Sequence, residues 1–233
     1  MERIEYGKFY LIIRKIVQLI FPKYKAAQLE PTDKPVVYVS HHQNMFGPVN
    51  ILLWYPKFMR LWGLSVFIDQ QACYDHYVNY TFTKRFKIPS LIAKPLAWGV
   101  SYFVSSLAQS ARVIPVYRRS RRIIRTLKES VETLQAGASV LIFPDVDYSS
   151  DNSEVGRIYE GFLNLEKYYN RKTGEHIDFV PLYAKQTTKE ILYGQSIRFD
   201  KDRDFIDQRD EKAHELQAEL NRLANTGVEV DLV

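Results

Sequence analysis

Two adjacent histidines, His41 and His42, follow an alternating apolar run, Val37-Tyr-Val-Ser40. They precede Gln43-Asn44-Met-Phe-Gly47-Pro48, a segment that does not readily continue as strand. A histidine at a strand end suits proton transfer, because its ordinary pKa lies near neutral pH. A catalytic histidine needs an orienting group, normally a carboxylate, that fixes the tautomer and stabilises the imidazolium. No Asp or Glu occurs between Asp33 and Asp69. A second polar strand end, Phe143-Pro144-Asp145-Val146-Asp147-Tyr148-Ser149, carries two acids, and a third, Tyr117-Arg118, opens a basic cluster.

Other residue types narrow the chemistry. His76 and His176 stand alone and read as surface or loop polar groups. Cys73 is the single cysteine, so no intramolecular disulfide forms. It lacks the basic or histidine signature of a reactive cysteine and reads as an inert thiol. Asp145 and Asp147 resemble metal ligands, but no spaced histidine supports them, so no metal site is expected. Gly99-Val-Ser101 lacks the second glycine of a nucleophile elbow, which argues against a serine hydrolase.

The elements that must position these residues alternate. Strands are expected at Pro35–Ser40, Val113–Tyr117, Ser139–Asp145, Asp178–Ala184 and Ile191–Phe199, the last bent at Gly194. Met59–Ile68 reads as a strand or buried segment. Helices are expected at Val49–Tyr55, over most of Gln70–Ala111 with a break near Pro89, and at Ser120–Gln135, Glu154–Tyr169 and Phe205–Ala224. Gly137 stands at a helix C-terminus. The pattern predicts a single α/β domain, a mixed and mostly parallel sheet flanked by helices. In such sheets ligands and chemistry sit beyond the carboxyl ends of the strands. An N-terminal amphipathic segment (1–30) precedes the α/β domain (31–200), and an acidic amphipathic helix and tail (201–233) follow it.

Charge is uneven. The net charge is +5, yet Asp200–Val233 carries ten acids against five bases. The bases concentrate in Arg112–Lys128, with seven bases and no acid, and at the N-terminus in Arg3, Lys8, Arg14, Lys15, Lys23 and Lys25. Such fields attract anionic lipid headgroups, phosphorylated substrates or nucleic acid. No nucleic-acid-binding pattern accompanies them, so no nucleic-acid partner is expected. Phe9, Leu11, Ile12, Ile16, Leu19 and Ile20 recur at helical spacing beside the N-terminal bases, and Pro22 ends the pattern. Such a helix either lies in a membrane interface or packs its apolar stripe on the core. Pro95–Ala111 is uncharged but carries four serines and a glutamine, and reads as buried or interfacial rather than spanning. The start of the chain lacks the pattern of a signal peptide.

Taken in order, Ser40-His41-His42-Gln43-Asn44, Val113-Ile-Pro-Val-Tyr-Arg118, Phe143–Ser149 and Val180-Pro181 resemble the four motif blocks of the glycerolipid acyltransferases. The best-known members of that family are the lysophosphatidic acid acyltransferases. The resemblance spans about Val36–Phe199. It implies a glycerol-3-phosphate acyltransferase-like fold, with His42 as general base and Arg118, Phe143, Pro144 and Ser149 at the substrate site. It implies acyl transfer from acyl-CoA or acyl carrier protein to a hydroxyl of a lysolipid or related glycerolipid. The protein would then be peripheral on the cytoplasmic side of a membrane, with no bound cofactor.

The family's acid, five residues after its histidine, falls on Gly47 counted from His42 and on Phe46 counted from His41. Its third-block Gly and Arg fall on Val146 and Tyr148. Three arrangements follow. Asn44 or a backbone carbonyl orients His42; Asp145 or Asp147 approaches it from the neighbouring strand end; or the site is inactive and the chain is a lipid-binding relative. His41-His42 followed by Gly47 is also similar to the His-His-x-x-x-Asp-Gly motif of the carnitine-type acyltransferases, except for Phe46. That reading makes His42 the base too.

Overall fold

The apolar runs become seven strands of one sheet in the computed structural model, which describes residues 5–27, 34–118 and 120–226. The strands are β1 (Lys25–Ala26), β2 (Val37–Ser40), β3 (Met59–Leu64), β4 (Ile114–Val116), β5 (Ser139–Ile142), β6 (Phe179–Lys185) and β7 (Glu190–Tyr193). Their order is β1-β7-β6-β2-β5-β3-β4, and every neighbouring pair is parallel except β6–β7. β2 lies in the middle, and all four of its residues are buried. A central parallel strand is covered on both faces, which is why Val37-Tyr-Val tolerates no polar residue.

The helices are α1 (Lys8–Ile20), α2 (Phe46–Trp54), α3 (Gln70–His76), α4 (Ser90–Ser110), α5 (Ile123–Gln135), α6 (Asn164–Thr173) and α7 (Phe205–Asn225). A π-helical stretch, Tyr77–Arg85, continues α3. α5, α6 and α7 cover one sheet face, packing on Val37, Val39, Val140, Ile142 and Phe179. α2 covers the other, against Tyr38, Leu141, Val180 and Leu182. The two-residue period of each strand divides its side chains between these cores. The protein is thus a single α/β domain with a mostly parallel mixed sheet between helices, the expected class. The apolar stripe of α7, Ala213, Leu216, Leu220 and Leu223, is buried in the first of these cores.

Two elements differ from the sequence expectation. Residues 154–159 are not helical: Val146 N–H donates to Arg157 O, and Tyr159 N–H to Pro144 O, drawing this segment alongside the Asp145 strand end. The helix begins only after a 3-10 turn, Glu160–Leu163. β7 stops at Tyr193, and past the Gly194 bend only Ile197 returns to bridge Phe179. α4 starts at Ser90, just past the expected break at Pro89, and runs for 21 residues, its most apolar 18-residue window having a mean hydropathy of 1.2. Among the described residues it is the one helix long and apolar enough to cross a membrane. The N-terminal Arg3, residues 28–33 between the expected segments and the tail beyond 226 lie outside the described residues.

Both α1 and α4 carry their apolar side chains outward. Tyr10 is the one buried residue of α1. Its inward groups are polar: Arg14 donates to Leu53 O and Tyr55 O, Gln18 to Leu53 O, and the Tyr10 hydroxyl to Leu52 O. These bonds satisfy carbonyls at the C-terminus of α2, where a cation also meets the negative end of the helix dipole. The apolar stripe, including Ile12, Ile16, Leu19 and Ile20, is left exposed, with Leu19 87% accessible. α4 buries only a ridge of small residues at four-residue steps, Ala93, Ala97, Ser101 and Ser105. Leu91, Ile92, Leu96, Trp98, Tyr102 and Phe103 remain exposed. Phe9 meets Phe103 edge-on at 5.9 Å, and Gly7 N–H donates to Ser110 O, so the two helices are joined.

Candidate functional site

The register of the central strands builds the site. Val39 of β2 lies opposite Ile142 of β5. The chain leaves β2 at His41 and β5 at Phe143, so the two polar strand ends are neighbours. Asp145 is buried there and holds both histidines, each by a different part. One oxygen, Oδ1, lies 2.5 Å from Nδ1 of the His41 ring, and the other accepts the backbone N–H of His42 at 2.9 Å. His41 is only 3% exposed, and its Nε2 lies 2.9 Å from the backbone carbonyl of Asn152. Both ring nitrogens of His41 are therefore engaged. The His41 ring also stacks on Tyr183, whose hydroxyl burial pushes up to about 12.

His42 is half-buried and differently placed. Its ring stands edge-on to Phe143 at 5.5 Å and to Tyr148 at 6.0 Å. Nδ1 is buried and has no hydrogen-bond partner among the described residues. Burial is the main cause that lowers the His42 pKa from its ordinary value. The Asp145 carboxylate pulls the other way, and the His41 and Arg118 charges add to the lowering. At neutral pH the ring is uncharged, as a general base must be.

The other sequence candidates are placed as follows. The Asn44 amide donates to Asp151 at 3.2 Å rather than to a histidine ring. Asp147 is exposed and accepts from the Ser149 hydroxyl and N–H; the hydroxyl bond is the main cause that lowers its carboxyl pKa. Arg118 is exposed, and its charge is felt at His42. Phe143 touches the His42 ring, and Pro144, the next residue, is buried. Of the candidate acids, Asp145 is the one that reaches the histidines, but through the His41 ring and the His42 backbone rather than the His42 ring.

Gly47 explains why no acid stands at the position the resemblance assigns. Its N–H donates to His42 O at 3.0 Å, and a Cβ built on it would lie 2.1 Å from His41 O. No side chain fits there on this backbone. The turn before it is tight: Gln43 and Asn44 both adopt the left-handed region, with φ of 43° and 57°. Two successive non-glycine residues there store strain of the kind that clusters at functional sites.

Three contacts escape sequence reasoning: His41 with Asp145, Asn152 O with His41, and Gln43 with Tyr183. Gln43 Nε2 donates to the Tyr183 hydroxyl at 2.7 Å, which donates to Ser153 O at 2.7 Å. The only sequence signal was the pairing of two histidines where one suffices. Among the described residues no cluster suits a metal ion. A cleft of about 800 Å³ opens between α5 and α6, lined by Lys128, Glu132, Lys167, Arg171 and Lys172, with no residue of the histidine site.

No protein-family model and no curated protein sequence matches this chain. A solved structure does: the 1-acyl-sn-glycerophosphate (LPA) acyltransferase PlsC from Thermotoga maritima. The two share 12% sequence identity, and the match covers 93% of this chain and 78% of the other, with a TM-score of 0.54. At that identity the likeness lies in the architecture, and the chain is similar in fold to this acyltransferase.

Proposed function

We propose that the protein is a membrane-surface acyltransferase of the glycerolipid type, with His42 as its base. The donor is an acyl thioester, acyl-CoA or acyl carrier protein. The acceptor is a hydroxyl of a lysophospholipid or related glycerolipid. His42 takes the acceptor's hydroxyl proton as that oxygen attacks the thioester carbonyl. The tetrahedral intermediate then collapses, the C–S bond breaks, and the imidazolium returns the proton to the departing thiolate. Arg118 offers charge to a phosphate of either substrate, and Phe143, Pro144 and Ser149 line the approach. The exposed faces of α1 and α4 rest on the cytoplasmic surface of the bilayer, which both substrates share.

The observation that carries this reading is the neutral, half-buried His42 ring at a strand end, its peptide anchored by Asp145. The fold supports it by analogy alone. With nothing on Nδ1 to hold the proton there, the productive tautomer lacks its usual support. Turnover is expected to be slow, in the direction of the roughly 10⁴-fold loss that follows removal of such an acid in a related triad.

The test is thiol release from acyl-CoA and acyl carrier protein, offered with lysophospholipid and glycerolipid acceptors. Acceptor-dependent release is expected from the wild type, falling at least about 100-fold in His42→Ala. No release from folded, vesicle-bound protein would favour the non-catalytic lipid-binding relative, to which the orphaned Nδ1 also points.

A further inference from the structure

We propose that His41 is a positioning residue. It donates from both ring nitrogens and ties Asp145 and the loop 148–153 into a strap that fixes His42. The inference rests on the acyltransferase reading for its purpose, though not for its geometry. A backbone carbonyl only accepts, so the contact with Asn152 O puts a hydrogen on Nε2. The carboxylate of Asp145, 2.5 Å from Nδ1, needs a second proton at that contact. A neutral ring would set two acceptors against each other in a buried site, at one contact or the other. The His41–Asp145 pair thus holds one proton beyond a neutral imidazole beside a carboxylate. A ring so engaged has no lone pair for an incoming hydroxyl, which leaves proton abstraction to His42.

The strap has three anchors on consecutive residues of one loop. Asp151 is held by the Asn44 amide, Asn152 by the His41 ring, and Ser153 by Tyr183, itself bonded to Gln43. All three lead back to the turn 41–44 that bears His42, the turn whose left-handed residues need holding. The same loop brings Tyr148 onto one edge of the His42 ring, while Phe143 takes another. Ring packing and the Asp145 bond to the His42 peptide therefore orient the imidazole, where a carboxylate at position 47 has no room. Asp147 and Asp151 are the further acids of the loop. Asp147 is bound to Ser149 and Asp151 to Asn44, so neither is shown competing for the ring.

Two measurements on the full chain test this. In the ¹⁵N spectrum of histidine-labelled protein at neutral pH, with the His41 signals assigned by their loss in His41→Phe, both His41 nitrogens should bear or share a proton. A bare, acceptor-type nitrogen would overturn the proposal. Hydrogen exchange of amides in the 148–153 loop should quicken at least about tenfold in His41→Phe, since a buried charge-assisted bond is lost. Unchanged exchange in a folded variant would overturn it too. If His41→Phe does not fold, Asn44→Ala releases one anchor without touching either histidine and should quicken the same amides; assignment then uses His42→Phe. Neither readout depends on acyl transfer, so a failure of the proposed reaction leaves this test standing.

Discussion

The strand-end cluster and the α1–α4 surface break the ordinary division of inside and outside in opposite directions. At the strand ends, His41 and Asp145 are polar groups kept from water, a placement that is tolerated only because each is bonded. On α1 and α4, large apolar side chains are kept in water, with Leu19 87% and Leu91 85% accessible, while Arg14 and Gln18 turn inward. Isolated exposed apolar residues need no account, but a joined face across two helices marks a surface meant to be covered. On the proposed function, one region costs stability to hold a side chain still, and the other costs solubility to rest on a bilayer. Such conflicts with the local rules are expected where function, rather than folding, sets the sequence.

That contrast can be broken from either side. The largest effect is expected on the apolar face. Leu19→Glu with Leu91→Glu should weaken binding to anionic vesicles roughly 100-fold or more, since each leucine contributes about 1.5–3 kcal/mol when buried and each glutamate adds repulsion. The melting temperature should change little, because neither side chain is part of the core. Vesicle sedimentation and a thermal melt on the same sample check both halves. Loss of folding instead of binding would mean that the face is structural.

A smaller effect is expected at the turn. Gly47→Ala should lower stability by about 1–3 kcal/mol in denaturant unfolding, because the new methyl group meets His41 O. A neutral result would show that the turn yields easily and that position 47 is open to an acid after all. The smallest effect concerns pH. Burial lowers the His42 pKa, so a base at this position stays active below its ordinary titration range and loses activity only when protonated at more acid pH. The acid limb of kcat/KM should therefore lie below pH 6.5, and a limb above it would sharpen the comparison by showing that a carboxylate charge dominates the site.

How much was legible in the sequence follows the same division. Periodicity exposed the strands of the core and the helices from α5 to α7, because burial on a regular element repeats. It also exposed the apolar stripe of α1, though not its direction: Arg14 and Gln18 turn inward because α2 ends in unpaired carbonyls beneath them, a fact of packing. β1, two residues long, repeats too little to be read. The segment 154–159 has helical spacing but is drawn into extended pairing by backbone bonds to Pro144 and Val146. At the site, the resemblance pointed to His42, and Asp145 was open as a partner. Which histidine ring that acid meets depends on the left-handed turn at Gln43 and Asn44, and no residue type there announces it. Asn152 acts through its carbonyl, which every residue possesses, so its role left no trace in the sequence.

The division of labour between the two histidines is the claim most directly open to measurement. Wild type, His41→Phe and His42→Phe would be compared for acylated product formed from an acyl thioester and lysolipid vesicles, read by mass spectrometry after each variant is shown to be folded. The account predicts no product above background from His42→Phe and reduced but measurable product from His41→Phe. Product formation that survives His42→Phe, or that disappears only in folded His41→Phe, would contradict it.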